Sequence, residues 1–230
     1  MLLLRWLEFG IFTPLMRNHS ALGTREQECY QFEKVEDFKH IIEIRYRLIP
    51  YLYSEYMKAT LNNEMYFRPL AFDYETDPIA IRIEDQLMLG DALMITPIYE
   101  QNAVGRYVYL PEEMMKVKVK NGKFILDEKL EKGHHYIDIE LNKIVFFIKK
   151  NHIIPICEPA LSTDKINFNN IDLIGYVEDK VLYKFYLDDG ITKDYDSEDN
   201  MLTIKVENNE VHSDSSSISF RLNTQLSNEI

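Results

Sequence analysis

Leu4-Arg5-Trp6-Leu7-Glu8-Phe9-Gly10-Ile11-Phe12-Thr13-Pro14-Leu15-Met16-Arg17-Asn18-His19-Ser20 is the stretch on which the reading of this chain turns. Its first part, residues 2 to 12, has the apolar density of a buried helix, with Arg5 and Glu8 interrupting it. Those two charges stop the apolar run at Met1 to Leu4 from reaching the length of a signal-peptide core, and no basic segment precedes it. Thr13 to Arg17 then reads as a short buried strand, whose end delivers Asn18 and His19. Residues 20 to 33 follow as a loop.

Downstream, Glu36 to about Asn62 places Phe38, Ile42, Tyr46, Ile49, Tyr53 and Tyr56 at intervals of three and four, the mark of one face of a long helix. Pro50 falls inside it. A proline removes a backbone donor and its ring clashes with the preceding turn, so a kink is expected there. After Asn63 the pattern changes to short runs of β-branched and aromatic residues punctuated by Pro, Gly, Asn and Asp. Strands are expected at Ala92 to Ile98, Tyr107 to Leu110, Tyr136 to Ile139, and Ile144 to Ile148 continuing to Ile156. A second group is expected near Leu173 to Val177, Val181 to Leu187 and Met201 to Val206. Tyr107, Tyr109, Tyr136 and Tyr186 fall on these patterns as core or interface residues.

Composition excludes several classes of partner. The formal net charge of −12 disfavours nucleic acids and anionic membranes, which are held by clusters of Lys and Arg. No segment is long and apolar enough to span a bilayer. The two cysteines, Cys29 and Cys157, form neither a disulfide framework nor a metal-ligand pair. Free thiols point to a reducing, cytoplasmic setting. Asp188-Asp189-Gly190 with Asp194, Asp196 and Asp199 fails the EF-hand register, since Asp199 stands where a glycine is required. A hairpin turn on Asp-Gly accounts for it instead. His134-His135 reads as surface before a strand. No cofactor or metal is expected.

Read as R-W-x-x-x-G-x-F-x-P-x-x-R-N-H-S, the opening stretch resembles the last part of the catalytic barrel of glycoside hydrolase family 31, the α-glucosidase and α-xylosidase family. The likeness continues in register. Leu48-Ile49-Pro50-Tyr51-Leu52-Tyr53, Arg68-Pro69-Leu70, Asp85-Gln86-Leu87-Met88-Leu89-Gly90, Thr96-Pro97-Ile98 and Arg106-Tyr107-Val108-Tyr109-Leu110-Pro111 follow in the family's order, and Tyr186-Leu187-Asp188-Asp189-Gly190-Ile191-Thr192 is similar to its Y-x-D-D-G-x-T turn. Where the family has glycine in R-x-G-x-I-I-P, this chain has Asn151, the side-chain-bearing residue that best tolerates a left-handed backbone.

The resemblance implies an α+β fragment: the last strand and helices of a (β/α)8 barrel, followed by antiparallel β-sandwich C-terminal domains. The implied division is 1–63 for the barrel remnant, 64–160 for a proximal β-sandwich and 161–230 for a distal β-domain. Active sites of such barrels lie at the C-terminal ends of the strands. His19 is thereby implied as a substrate-binding residue, because a neutral imidazole donates from one nitrogen and accepts at the other, as a sugar hydroxyl requires. Arg17 and Asn18 are implied to support the strand end.

Retaining glycosidases need two carboxyl groups about 5–5.5 Å apart. The family's W-x-D-x-N-E-like nucleophile segment is absent from these 230 residues. The expected function is therefore the C-terminal part of a retaining α-glycoside hydrolase, inactive alone, whose partners are an α-linked oligosaccharide or glycoside and the missing N-terminal portion of the barrel. The competing reading is a non-catalytic carbohydrate-binding or structural β-module, which exposed aromatic platforms would favour.

Overall fold

A computed structural model describes residues 2–120 and 122–224. The chain begins with helix α1 (Leu2–Gly10), and α2 (Val35–Asn62) is the long helix that the spacing predicts. Asn63 ends α2 in the left-handed conformation, at φ 58°, with its N–H bonded back to Ala59. Pro50 lies inside α2 and leaves the carbonyl of Tyr46, four residues earlier, without its helical donor. The Cys157 thiol supplies one, its Sγ standing 3.4 Å from the Tyr46 oxygen, while the Cys157 N–H bonds the Arg47 carbonyl at 3.0 Å.

The main sheet has six antiparallel strands. Its order is β1 (Phe67–Pro69), β2 (Leu87–Leu89), β3 (Leu93–Ile95), β8 (Ile144–Lys149), β5 (Met114–Lys120) and β6 (Lys123–Leu130). A one-turn helix, α3 (Leu70–Asp73), follows β1. β8 is central, and its side chains divide between two cores. Ile144, Phe146 and Ile148 join a cluster with Leu4, Ile11, Ile41 and Leu48 of the helical segment, whereas Val145 and Phe147 join Val108, Leu110 and Ile137 on the opposite face. Burial on both faces is why this strand reads as a continuous apolar run rather than an alternation. The opposite face is covered by the antiparallel pair β4 (Gly105–Leu110) and β7 (Gly133–Asp138).

Two three-stranded sheets follow. β9 (His152–Ile156), β10 (Asn170–Tyr176) and β14 (Ser219–Asn223) form one, in which β10 and β14 run parallel. β11 (Val181–Tyr186), β12 (Met201–Glu207) and β13 (Glu210–Ser213) form the other. The larger core draws on both of them as well as on α1, α2 and the main sheet. Asn151 sits at φ 57° in the turn between β8 and β9, as the glycine-like position requires, and its Oδ1 accepts from the N–H groups of Glu178 and Asp179.

Several expectations are corrected. Thr13 to Arg17 forms no strand; it runs as a turn and a largely exposed loop, because a β-strand needs ladder partners and none of the described residues offers one. The buried face of α2 is Phe38, Ile41, Ile44, Leu48, Tyr51 and Glu55, whereas Ile42 and Tyr56 are exposed. The expected run from Ile144 to Ile156 is two strands joined by a turn at Asn151. The hairpin β5–β6 is an element beyond those the sequence pattern predicts. Tyr109 and Tyr186 are buried, but Tyr107 and Tyr136 are exposed on the outer side of β4 and β7, where no further element among the described residues covers them. His134 and His135 lie within β7 rather than before it. Asp188 to Gly190 begins a long connection between β11 and β12, so it is a local side-chain-braced turn and not a tight hairpin. The implied distal span ends at residue 230, and its last six residues lie outside those described.

Burial of Glu55 gives the fold a pH signature. It is 4% exposed, receives the Tyr183 hydroxyl at 2.8 Å and the Lys58 ammonium at 2.6 Å, and lies against Gly90, where a Cβ would stand 2.1 Å from its Oε2. Desolvation raises its pKa above the ordinary 4.5, against the pull of Lys58 and Tyr183. A carboxyl whose folded pKa is raised holds its proton longer in the native state, so its contribution to stability is full below the unfolded pKa and is lost as pH rises through the folded one. Glu55→Gln is therefore expected to raise Tm relative to the unmodified chain more at about pH 7 than at about pH 4, measured by thermal unfolding across pH. An equal effect at both values would show that Glu55 titrates normally.

Candidate functional site

The family-like segments come together as joints. Tyr51 donates to the Leu89 carbonyl at 2.6 Å, and Tyr53 donates to Asp188 at 2.7 Å, so the Pro-Tyr-Leu-Tyr run of α2 holds both the main sheet and the turn after β11. Ser54 Oγ receives the Tyr186 N–H at 3.0 Å and donates to the Pro50 carbonyl at 2.7 Å. Gln86 pairs twice with the backbone of Tyr109, at 2.7 and 2.8 Å. Arg68 forks onto Asp73 at 2.7 and 3.0 Å and reaches the Gly90 carbonyl at 3.0 Å. Arg5, 3% exposed, bonds Glu8 and the carbonyls of Ala103, Ile139 and Glu140.

Arg17, Asn18 and His19 stand apart from this network. All three are exposed on the loop after α1. Asn18 donates its side-chain amide to the Gln27 carbonyl and so closes the loop across residues 18 to 27. Arg17 Nη2 lies 3.0 Å from His19 Nδ1. A guanidinium has only donors, so Nδ1 accepts and the imidazole proton resides on Nε2. The Nε2–H of exposed His19 is thus its free donor, and Arg17 is the group that sets this tautomer.

The root of the loop is held by a residue that sequence reasoning missed. Arg45 Nη1 donates to the carbonyls of Ile11 and Thr13, each at 2.7 Å, and Nη2 reaches the Pro14 carbonyl at 3.2 Å. Tyr66 adds a bond to the Phe12 carbonyl at 2.8 Å. These carbonyls lie at and beyond the C-terminal end of α1, where helical acceptors lack donors and a cation is favoured. A basic residue on the partner helix was the available signal, but its target appears only when α1 and α2 are packed together.

Beside the loop runs the second apolar stripe of α2. Tyr46, Ile49, Tyr53 and Tyr56 line a cleft of about 530 Å³ together with Thr13, Pro14 and Leu15. Phe38, Ile42 and Tyr46 line a second cleft of about 540 Å³ with Cys29 and Tyr30. Cys29 is half-buried and Cys157 buried; both are free thiols, and burial pushes the Cys157 thiol up to about 12.

Two helices joined by a loop and followed by β-rich domains make this an α+β chain. The comparisons agree. The model of the glycosyl hydrolases family 31 TIM-barrel domain matches residues 1–55, and that of the family 31 C-terminal domain matches residues 63–154. The chain belongs to glycoside hydrolase family 31 and comprises a short segment of its barrel with β-rich C-terminal domains. It is 32% identical over 221 residues to alpha-glucosidase 2 of Bacillus thermoamyloliquefaciens, a match that takes in 92% of this chain and 27% of the relative. It is 27% identical to an alpha-xylosidase of Saccharolobus solfataricus, over 84% of this chain and 26% of the relative. Among solved structures, a Flavobacterium johnsoniae family 31 dextranase complexed with isomaltotriose superposes with a TM-score of 0.76 and 28% identity, covering 95% of this chain and 29% of that one. The chain thus spans roughly a quarter of the length of these relatives.

Removing the loop's anchor should loosen the loop without unfolding the domains. Arg45→Met is expected to cost about 2 kcal/mol, the scale of a few charge-assisted bonds lost from a partly exposed site. Trypsin cleavage at Arg17 and Arg25 should accelerate while the β-domains stay resistant. Unchanged cleavage would show that the loop is held by something else.

Proposed function

We propose that this chain supplies the closing end of the sugar-binding pocket of a retaining α-glycoside hydrolase acting on α-linked glucosides or xylosides, and that alone it does not turn over substrate. The observation carrying this reading is the two-sided character of α2. One apolar face is buried against the chain's own sheet, and the other, through Ile42, Tyr46, Ile49, Tyr53 and Tyr56, lines two open clefts beside the loop of His19. A helix apolar on both sides belongs between two layers. In the reading offered here the second layer is the rest of a family 31 barrel. Its docking would give Thr13 to Arg17 the ladder partners that a strand needs.

His19 then binds a sugar hydroxyl through Nε2–H, with Arg17 fixing its tautomer. The nucleophilic and acid/base carboxylates come from the docked portion, since the family-like nucleophile segment is absent from this sequence. The two free thiols fit a reducing compartment, and the cytosol is the location proposed.

Two outcomes are expected. The 230-residue chain should hydrolyse neither aryl α-glucosides nor aryl α-xylosides; measurable hydrolysis with retention would refute its inertness. In the enzyme assembled with a barrel-completing portion, His19→Ala should lower kcat/KM roughly ten- to a hundredfold, the equivalent of about 1–3 kcal/mol for a hydroxyl left unpaired. Unchanged kcat/KM in a correctly folded variant would remove His19 from the site.

A further inference from the structure

The outer side of the β4–β7 ladder carries a second polar and aromatic cleft, far along the chain from His19. Tyr107 and Tyr136 face each other across the two strands, their ring centroids 5.1 Å apart at 71°, and they are 72% and 49% exposed. Tyr99, 46% exposed, lies beside them. The three rings line a cleft of about 380 Å³ together with Asp85, Arg106 and Glu100. This volume falls within the ~300–1,000 Å³ of small-ligand sites.

Hydrogen bonds tie the polar floor of the cleft together. Arg106 donates to the carbonyls of Asp85, Pro97 and Tyr107, at 3.2, 2.6 and 3.1 Å, and pairs with the Asp85 carboxylate through Oδ2. The Tyr99 hydroxyl also reaches that Oδ2, at 3.3 Å. Arg106 and Tyr99 both engage Oδ2 of Asp85, and the carboxylate remains 38% exposed. An oriented acceptor thus stands at the foot of three tyrosine rings.

Aromatic rings in this arrangement are costly to leave facing water and gain by stacking against a ligand. Tyrosine does so at little entropic cost, because it freezes only two torsions. The ligand must offer flat C–H surfaces to the rings and hydroxyl donors to a carboxylate. It must also carry no net negative charge, because Asp85 and Glu100 line the cleft and the chain carries a formal charge of −12. Pyranose rings meet all three conditions. We propose that this cleft is a non-catalytic binding site for a neutral oligosaccharide, holding one or two sugar rings against Tyr107, Tyr136 and Tyr99 with a hydroxyl on Asp85. The site is argued from its own chemistry; only the choice of an α-linked glucan as probe rests on the function proposed above.

The test is calorimetric or NMR titration of the 230-residue chain with maltoheptaose. Saturable binding is expected with Kd at or below about 1 mM. Tyr107→Ala and Tyr136→Ala should each weaken it at least about tenfold, whereas Tyr107→Phe, which keeps the ring, and His19→Ala should leave it unchanged. Because Tyr107 is mostly exposed, circular dichroism of Tyr107→Ala should match the parent. Absence of saturation up to about 10 mM would overturn the proposal. So would binding that survives both tyrosine substitutions. Binding lost on His19→Ala but retained in Tyr107→Ala would also overturn it, while supporting the barrel-end reading.

Discussion

A missing N–H inside α2 is the constraint around which this chain is arranged. Pro50 leaves the Tyr46 carbonyl without its helical donor, and an orphaned backbone acceptor in a packed interior must find another partner. The residue that follows β9 provides it: the Cys157 thiol reaches Tyr46, and the Cys157 N–H reaches Arg47. Burial keeps that sulfur protonated and hence a donor. The proline thus creates a vacancy that one point on the distal side of the chain fills, and this fixes where β9 lies along the helix.

From that point the polar side chains of one helical turn reach in different directions. Tyr51 holds the main sheet at Leu89, Ser54 and Tyr53 hold the end of β11 and the turn beyond it, and Glu55 receives Tyr183. Gly90 completes the node, because any side chain there would collide with Glu55. Buried polar bonds of this kind add little net energy when made and cost much when broken, so they select one arrangement of helix and sheets among the many that apolar burial alone would allow. The segments shared with family 31 are largely these joints. Likeness in them therefore certifies the scaffold more firmly than the chemistry.

Much of this was legible in the residues. The positions of α1 and α2 and six of the later strands within a few residues follow from local periodicity, and the left-handed turn at Asn151 follows from the family resemblance, which places a glycine there. The hairpin β5–β6 was overlooked although Lys116-Val117-Lys118-Val119-Lys120 alternates as a strand with one wet face should; four of its seven residues from Met114 are nonetheless buried in succession by a bulge and by the second core. The buried face of α2 differs from the one its spacing predicts for a different reason. The helix is apolar on two sides, and spacing alone does not say which side its own chain covers.

The sequence by itself determined the family, the two long helices and most of the later strands, since those depend on residue order and short-range geometry. Tertiary structure alone decided that Arg45 anchors that loop, that Cys157 fills the gap at Pro50, and that Tyr107 and Tyr136 face outward while Tyr109 and Tyr186 do not. Each of these joins residues far apart in the chain or depends on what packs against a strand's outer face. Such partners are set by the docking of whole elements, which no local pattern encodes.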